Sequence, residues 1–281
     1  MSDPFAMGEE TELTGKVAVI TGAACGLGLA LALSAADRGM MVALADANEP
    51  LLAAALEQVK TKGVEAIAVP IDVLDFASLS GLARRTAAEL GPPWLVCNNP
   101  GVSIEVTLWG VINGVQVFAP GMAERDDGYV VNIAAAEMFG VHGASVDAAI
   151  THAIVGLSES LYRELDSMGS RVGVTLVCPA LGHTNIASAP EYRNCDPPSR
   201  RCVALNSPPP EEIAEQIFAA VVARHFWFSA HPPGRASRAR TDSTARTPIQ
   251  RPHKRPGAAR TADGHYRFGL TRHVTHLWKS Q

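Results

Sequence analysis

The sequence predicts an α/β fold, a doubly wound and mostly parallel sheet in a Rossmann-type three-layer sandwich. Three observations predict it. Short β-branched runs alternate with helical stretches through the first hundred residues. The runs are continuously apolar rather than alternating, as strands buried on both faces are. A glycine-rich turn joins the first run to the first helix, in the βαβ order that builds a parallel sheet.

The elements follow in order. Lys16 to Thr21 is the first strand, and Gly26 to Arg38 carries Leu27, Leu29, Leu31 and Leu33 among alanines, as a helix packed on a sheet does. Met41 to Ala45 is the next strand, Glu49 to Lys62 a helix, Ala66 to Ile71 a strand, Phe76 to Leu90 a helix and Trp94 to Cys97 a strand. Beyond Gly101 the pattern gives a helix near Leu108 to Phe118, a strand at Gly128 to Ile133, a helix from Val146 to Leu165 and a strand at Val172 to Val177. Pro208, Pro209 and Pro210 followed by Glu211 and Glu212 open a last helix, with proline before the first turn and acids at its positive end. His225 to Ser229 is a final short strand.

With 281 residues, 47% of them hydrophobic, the chain can bury one large α/β core. A formal net charge of −4 excludes a polybasic binder of nucleic acid or membrane surfaces as the average character. The charge is unevenly placed. Residues 232–281 hold nine Arg and two Lys against Asp242 and Asp263, a formal +9, which leaves −13 on residues 1–231. The first 231 residues are expected to form a single Rossmann-type domain, and 232–281 a basic, disordered tail. The opening MSDPFAMGEE lacks the basic and apolar regions of a secretory signal, so a cytoplasmic location is expected. The uncharged run Val106 to Ala123 contains Asn113, Gln116, three glycines and Pro120, which suits a buried helix and not a membrane span. Five scattered cysteines without CxxC spacing indicate neither a disulfide framework nor zinc, and Cys97 and Cys178 read as small core residues.

The sharpest motif is Thr21-Gly22-Ala23-Ala24-Cys25-Gly26-Leu27-Gly28, between the first strand and the first helix. Glycines there allow a tight turn and a close approach to a pyrophosphate, which faces the helix N-terminus. Asp46 ends the second strand, where a carboxylate binds the ribose hydroxyls of NAD and repels the 2′-phosphate of NADP. The competing reading makes Asp46 a cap of the helix opening at Glu49-Pro50. Asp72, after the third strand, reads equally as an adenine contact or as a cap of the helix beginning near Phe76.

These residues, with Asp72-Val73, Asn98-Asn99-Pro100-Gly101, Gly128-Tyr-Val-Val-Asn132, Gly156-Leu-Ser-Glu159, Cys178-Pro179 and Thr184 in the same order, resemble the short-chain dehydrogenase/reductase family. The resemblance covers roughly residues 12–231. It implies a pyrophosphate site at Thr21, Gly22, Gly26, Leu27 and Gly28, and an adenosine site at Asp46, Asp72 and Val73. Further cofactor contacts are implied at Asn98, Gly101, Pro179 and Thr184.

The family moves a hydride between nicotinamide and a carbonyl or alcohol carbon, using an asparagine, a serine, a tyrosine and a lysine. At the corresponding positions this sequence has Thr107, Ala135, Asp147 and Thr151. Aspartate, with an ordinary pKa of about 3.9, is an anion at neutral pH and a poor proton donor. Weak or absent hydride transfer is therefore expected. The alternatives are an active NAD-dependent alcohol or ketone oxidoreductase with a replacement acid such as Asp147, His142 or His152, and a module that senses NAD(H) or has no function. Cys25, at the positive end of the first helix, is a candidate for redox modification. Only six residues lead from Gly101 to Thr107, a much shorter segment than the family's, which puts the substrate pocket and the family's subunit pairing in question. A small-molecule substrate and a homo-oligomer are the partners the resemblance implies, with no nucleic acid and no membrane.

Overall fold

The computed structural model describes residues 12–99, 104–134, 145–179 and 208–229. Seven parallel strands form one sheet: β1 Val17–Thr21, β2 Met41–Asp46, β3 Ala66–Pro70, β4 Pro93–Asn98, β5 Tyr129–Ile133, β6 Gly173–Cys178 and β7 Trp227–Ser229. Their spatial order is β3-β2-β1-β4-β5-β6-β7. The order reverses between β1 and β4, and ligands of open parallel sheets bind in the crevice at the carboxyl ends of such a pair. The helices are α1 Gly26–Asp37, α2 Glu49–Lys60, α3 Phe76–Glu89, α4 Ile104–Arg125, α5 Ser145–Ser167 and α6 Pro210–Val222.

Side chains on a strand alternate between faces, so each strand feeds two cores. Ala18 and Ile20 of β1 pack with Leu31 of α1, Leu52 of α2 and Ile217 and Phe218 of α6. Val17 and Val19 pack with Leu79 and Leu82 of α3, Val115 and Phe118 of α4 and Ile154 of α5. This is the three-layer arrangement the apolar strands predict. Cys97 and Cys178 are each 1% exposed, one in each core. Burial pushes both thiols up to about 12, in keeping with inert packing.

Most boundaries fall within two residues of the sequence reading, and the largest difference is in α4. Helix α4 runs from Ile104 to Arg125 instead of Leu108 to Phe118, straight through Pro120. A proline inside a helix removes a hydrogen bond and costs about 3 kcal/mol. Burial of Phe118, Ala119, Met122 and Ala123 around it offsets that cost. The stretch Val106–Arg125 is long and apolar enough to cross a bilayer, but half of its most apolar window is buried inside the domain. Helix α5 is longer by a residue or two at each end, and β7 spans only Trp227–Ser229.

Helix α6 is fastened to α1 by charge as well as by packing. Ser34 Oγ donates to Glu215 Oε1 at 2.6 Å, and Arg38 reaches Glu215 Oε2 at 2.7 Å. These bonds, Arg38 first, lower the Glu215 carboxyl to about 2.

Candidate cofactor site

The site begins with the turn after β1. Gly22 and Gly26 have φ of +62° and +55°, the left-handed region that favours glycine. A Cβ on Gly22 would lie 2.2 Å from the carbonyl oxygen of Asn99, and one on Gly28 would lie 1.9 Å from the carbonyl oxygen of Gly22. Among the described residues, a Cβ on Gly26 would meet no heavy atom within 4 Å. Two of the glycines thus serve close packing of backbone on backbone, and the third faces open space at the helix start.

That helix start is distinctive. Cys25 is the N-cap of α1 and makes no side-chain capping bond, and the first turn carries no acidic residue. Helix α2 is capped by Asn48, which accepts from the Leu51 amide at 3.1 Å, and α3 by Asp75, which accepts from the Ala77 amide at 2.9 Å. The first amides of a helix have no intrahelical partners and carry partial positive charge, the components of an anion site.

The turn is gripped from both neighbouring strands. From β4, Asn99 Nδ2 donates to the carbonyls of Thr21 at 3.1 Å and Gly22 at 3.3 Å, and the Asn99 amide donates to Thr21 Oγ1 at 3.0 Å. From β2, Asp46 Oδ2 accepts from the Ala24 amide at 3.1 Å and Oδ1 from the Asn48 amide at 2.9 Å. Asp46 is half-buried at the strand end. The cap of α2 is Asn48 and not Asp46, and the cap of α3 is Asp75 and not Asp72. Asp72 is exposed and accepts from the Leu74 amide at 2.9 Å, a turn of its own. Val73 is half-buried, and its carbonyl accepts from Asn113 Nδ2 of α4 at 2.9 Å.

On the other side of the switch point, Asn98 is 1% exposed, with its side chain inside the fold. Its Nδ2 donates to Asn132 Oδ1 at 2.8 Å, Asn132 Nδ2 donates to Ser158 Oγ at 3.0 Å, and Ser158 donates to the Ile154 carbonyl at 2.8 Å. Asn98 Oδ1 lies against Gly114, where a Cβ would approach it to 1.9 Å. Asn98 Nδ2 is thus bonded within the fold, while the buried Oδ1 has no hydrogen-bond partner among the described residues. Pro179 is half-buried directly after β6.

Of the four positions implied for chemistry, Thr107 is half-buried in α4, Thr151 is 3% exposed in α5, and Asp147 falls in the first turn of α5. Ala135, Gly101, Thr184 and His142 lie outside the described residues. His152 Nδ1 sits 2.6 Å from the Ala148 carbonyl, and because a carbonyl only accepts, Nδ1 carries the proton.

Asn99, Asn113 and the Asn132–Ser158 pair do the organising work that sequence reading did not assign. Asn99 and Asn132 stand within motifs read from the sequence, but nothing local says where an amide side chain turns.

The pattern of the short chain dehydrogenase family matches residues 16–192, more than half of the chain. The chain belongs to this family. The protein SadH of Mycobacterium tuberculosis is 32% identical to it over 192 residues, covering 62% of this chain and 69% of SadH. A short-chain dehydrogenase/reductase from Burkholderia phymatum, solved in complex with NAD, matches with a TM-score of 0.73 and 31% identity over 88% of this chain and 99% of that one. A metagenomic short-chain oxidoreductase in complex with NADP shares the fold at a TM-score of 0.63 and 22% identity, covering 80% of this chain and 100% of that one. Family membership fits the sheet order and the glycine turn, and family structures hold either NAD or NADP.

Proposed function

We propose that this short-chain dehydrogenase/reductase binds NAD(H) in preference to NADP(H) and transfers hydride weakly or not at all. One observation carries the binding half: α1 starts without a side-chain cap or an acid, beside the open space at Gly26, while α2 and α3 are capped by their own residues. An anion at that position completes the amides of Gly26, Leu27 and Gly28. Thr21 and Gly22 shape the turn, Asp46 at the end of β2 takes the ribose hydroxyls, and Asp72 and Val73 flank the adenine. Asn98, through its backbone, with Gly101, Pro179 and Thr184, belongs to the nicotinamide half. Asp46 favours NAD because a carboxylate repels a 2′-phosphate.

Bound NAD would supply the hydride chemistry, and the chain's own part would be to move the proton. Thr107 and Thr151 have hydroxyl groups that carry no charge near neutral pH, and Ala135 has no polar atom. Without a positioned donor the reaction forgoes about 10²–10⁴-fold of rate. The same reading treats residues 1–231 as the working domain and 232–281 as an appendage to it.

A fluorescence titration of the full chain with NADH and with NADPH tests the binding half. Saturable enhancement with NADH, weaker response to NADPH and loss of both in Asp46→Ala are expected. Absence of NADH binding would overturn the reading. Steady NAD reduction with a secondary alcohol, abolished by Asp46→Ala, would overturn the claim of weak chemistry.

A further inference from the structure

We infer that Asp46 is a positioning residue for the glycine turn itself: its carboxylate holds the turn in its anion-binding shape before any cofactor arrives. The inference rests on the cofactor reading above and adds a second task to the same side chain. Ala24 is 5% exposed, so its amide needs a partner inside the protein. That partner is Asp46 Oδ2 at 3.1 Å. The carboxylate is itself fixed, because Oδ1 accepts from the Asn48 amide at 2.9 Å. One residue earlier, the Ala23 amide donates to the Ala45 carbonyl at 3.2 Å, so β2 grips the turn at two consecutive amides. Asn99 grips the opposite flank through the carbonyls of Thr21 and Gly22. The turn is clamped along Thr21 to Ala24 and open at Gly26, where a ligand would enter.

Each carboxylate oxygen has two acceptor directions, so the bonds to Ala24 and Asn48 leave capacity for ribose hydroxyls. Reading the ribose and shaping the pyrophosphate turn then belong to one device. Its consequence departs from that of a simple electrostatic gate. If Asp46 only repelled a 2′-phosphate, a small neutral replacement would admit NADPH. If Asp46 also holds the turn, the same replacement strands a buried amide, loosens the turn and weakens both cofactors.

The test is amide hydrogen exchange resolved at single residues, on the full chain without cofactor, with NADH and NADPH titrations alongside. Wild type is expected to protect Ala24 and Asn48. In Asp46→Ala, exchange at Ala24 is expected to rise about tenfold or more while Val19 and Leu44 in the strands stay protected. NADPH affinity is expected not to rise. Should Asp46→Ala fail to fold, Asp46→Asn keeps one carbonyl oxygen and is expected to lose protection at one of the two amides. Unchanged protection at both amides in the variants overturns the clamp. So does an Asp46→Ala protein that binds NADPH as tightly as wild type binds NADH. A protected Ala24 in a wild-type protein that binds no NADH would sink the cofactor reading and leave the clamp standing.

Discussion

At the ends of β1 and β2, Gly22 and Gly26 sit in left-handed backbone, α1 begins without a side-chain cap, and Asp46 accepts from the Ala24 amide of the turn. Next door, at the ends of β4 and β5, Asn98 and Asn132 are register partners that bond each other and, through Ser158, the backbone of α5. Both regions lie at the carboxyl edge of one parallel sheet, and both are rich in polar groups. On the reading proposed above, the first offers its helix amides to an outside anion. The second joins Asn98, Asn132 and Ser158 in one buried network that ties α5 to the sheet.

The largest effects should come from the glycines, and they should differ between regions. Gly28→Val places a Cβ where the Gly22 carbonyl oxygen already stands, 1.9 Å away. Backbone cannot yield as a flexible side chain does, so a loss of about 3 kcal/mol in chemical denaturation is expected, together with loss of NADH binding. Gly156→Ala in α5, where a Cβ meets nothing within 4 Å, should stabilise by about 1 kcal/mol through helix propensity. Equal outcomes for the two substitutions would break the comparison.

An intermediate effect is expected from Asn132→Leu. It removes the shared partner of Asn98 and Ser158, both buried, and should cost about 2 kcal/mol in denaturant unfolding. NADH affinity should stay close to wild type, because the network faces inward. A large loss of affinity with little loss of stability would place Asn132 in the cofactor edge and merge the two regions.

The smallest effect concerns the α1–α6 fastening. The Glu215 carboxyl is lowered from an ordinary 4.5 to about 2 by Arg38 and Ser34. A depressed carboxylate stabilises the fold fully above its unfolded pKa and loses that contribution as pH falls through its folded pKa. Glu215→Gln should therefore lower the melting temperature slightly at neutral pH, and the difference should shrink between about pH 4.5 and 2. The pair is partly exposed, so added salt should shrink it too. A difference that grows on acidification would contradict the assignment.

Much of the candidate cofactor site was legible in the sequence. Thr21 to Gly28 sits between a strand and a helix, and Asp46 falls at a strand end, so local order alone places a turn, a helix start and an acid together. The bonds around Asp46 and Asp72 were less legible. Both acids had a capping alternative, and the caps are Asn48 and Asp75, two and three residues nearer their helices. Capping depends on the direction of a single side chain at a helix start, which composition does not encode. Helix α4 runs on past Pro120, which breaks a helix in isolation, because burial against the sheet carries it through.

By itself the sequence determined the alternation of strands and helices, the glycine turn and the family. These depend on period, on β-branched content and on residues adjacent in the chain. Tertiary structure alone decided which groups meet. Ala24 and Asp46 are 22 residues apart, Asn99 and Gly22 are 77 apart, and Asn98 and Asn132 are 34 apart. Such pairs arise from the order of strands in the sheet and the register between them, which bring distant polar groups within bonding distance. No local pattern carries that information, because the energy that sets register is the burial of the apolar faces on both sides of the sheet.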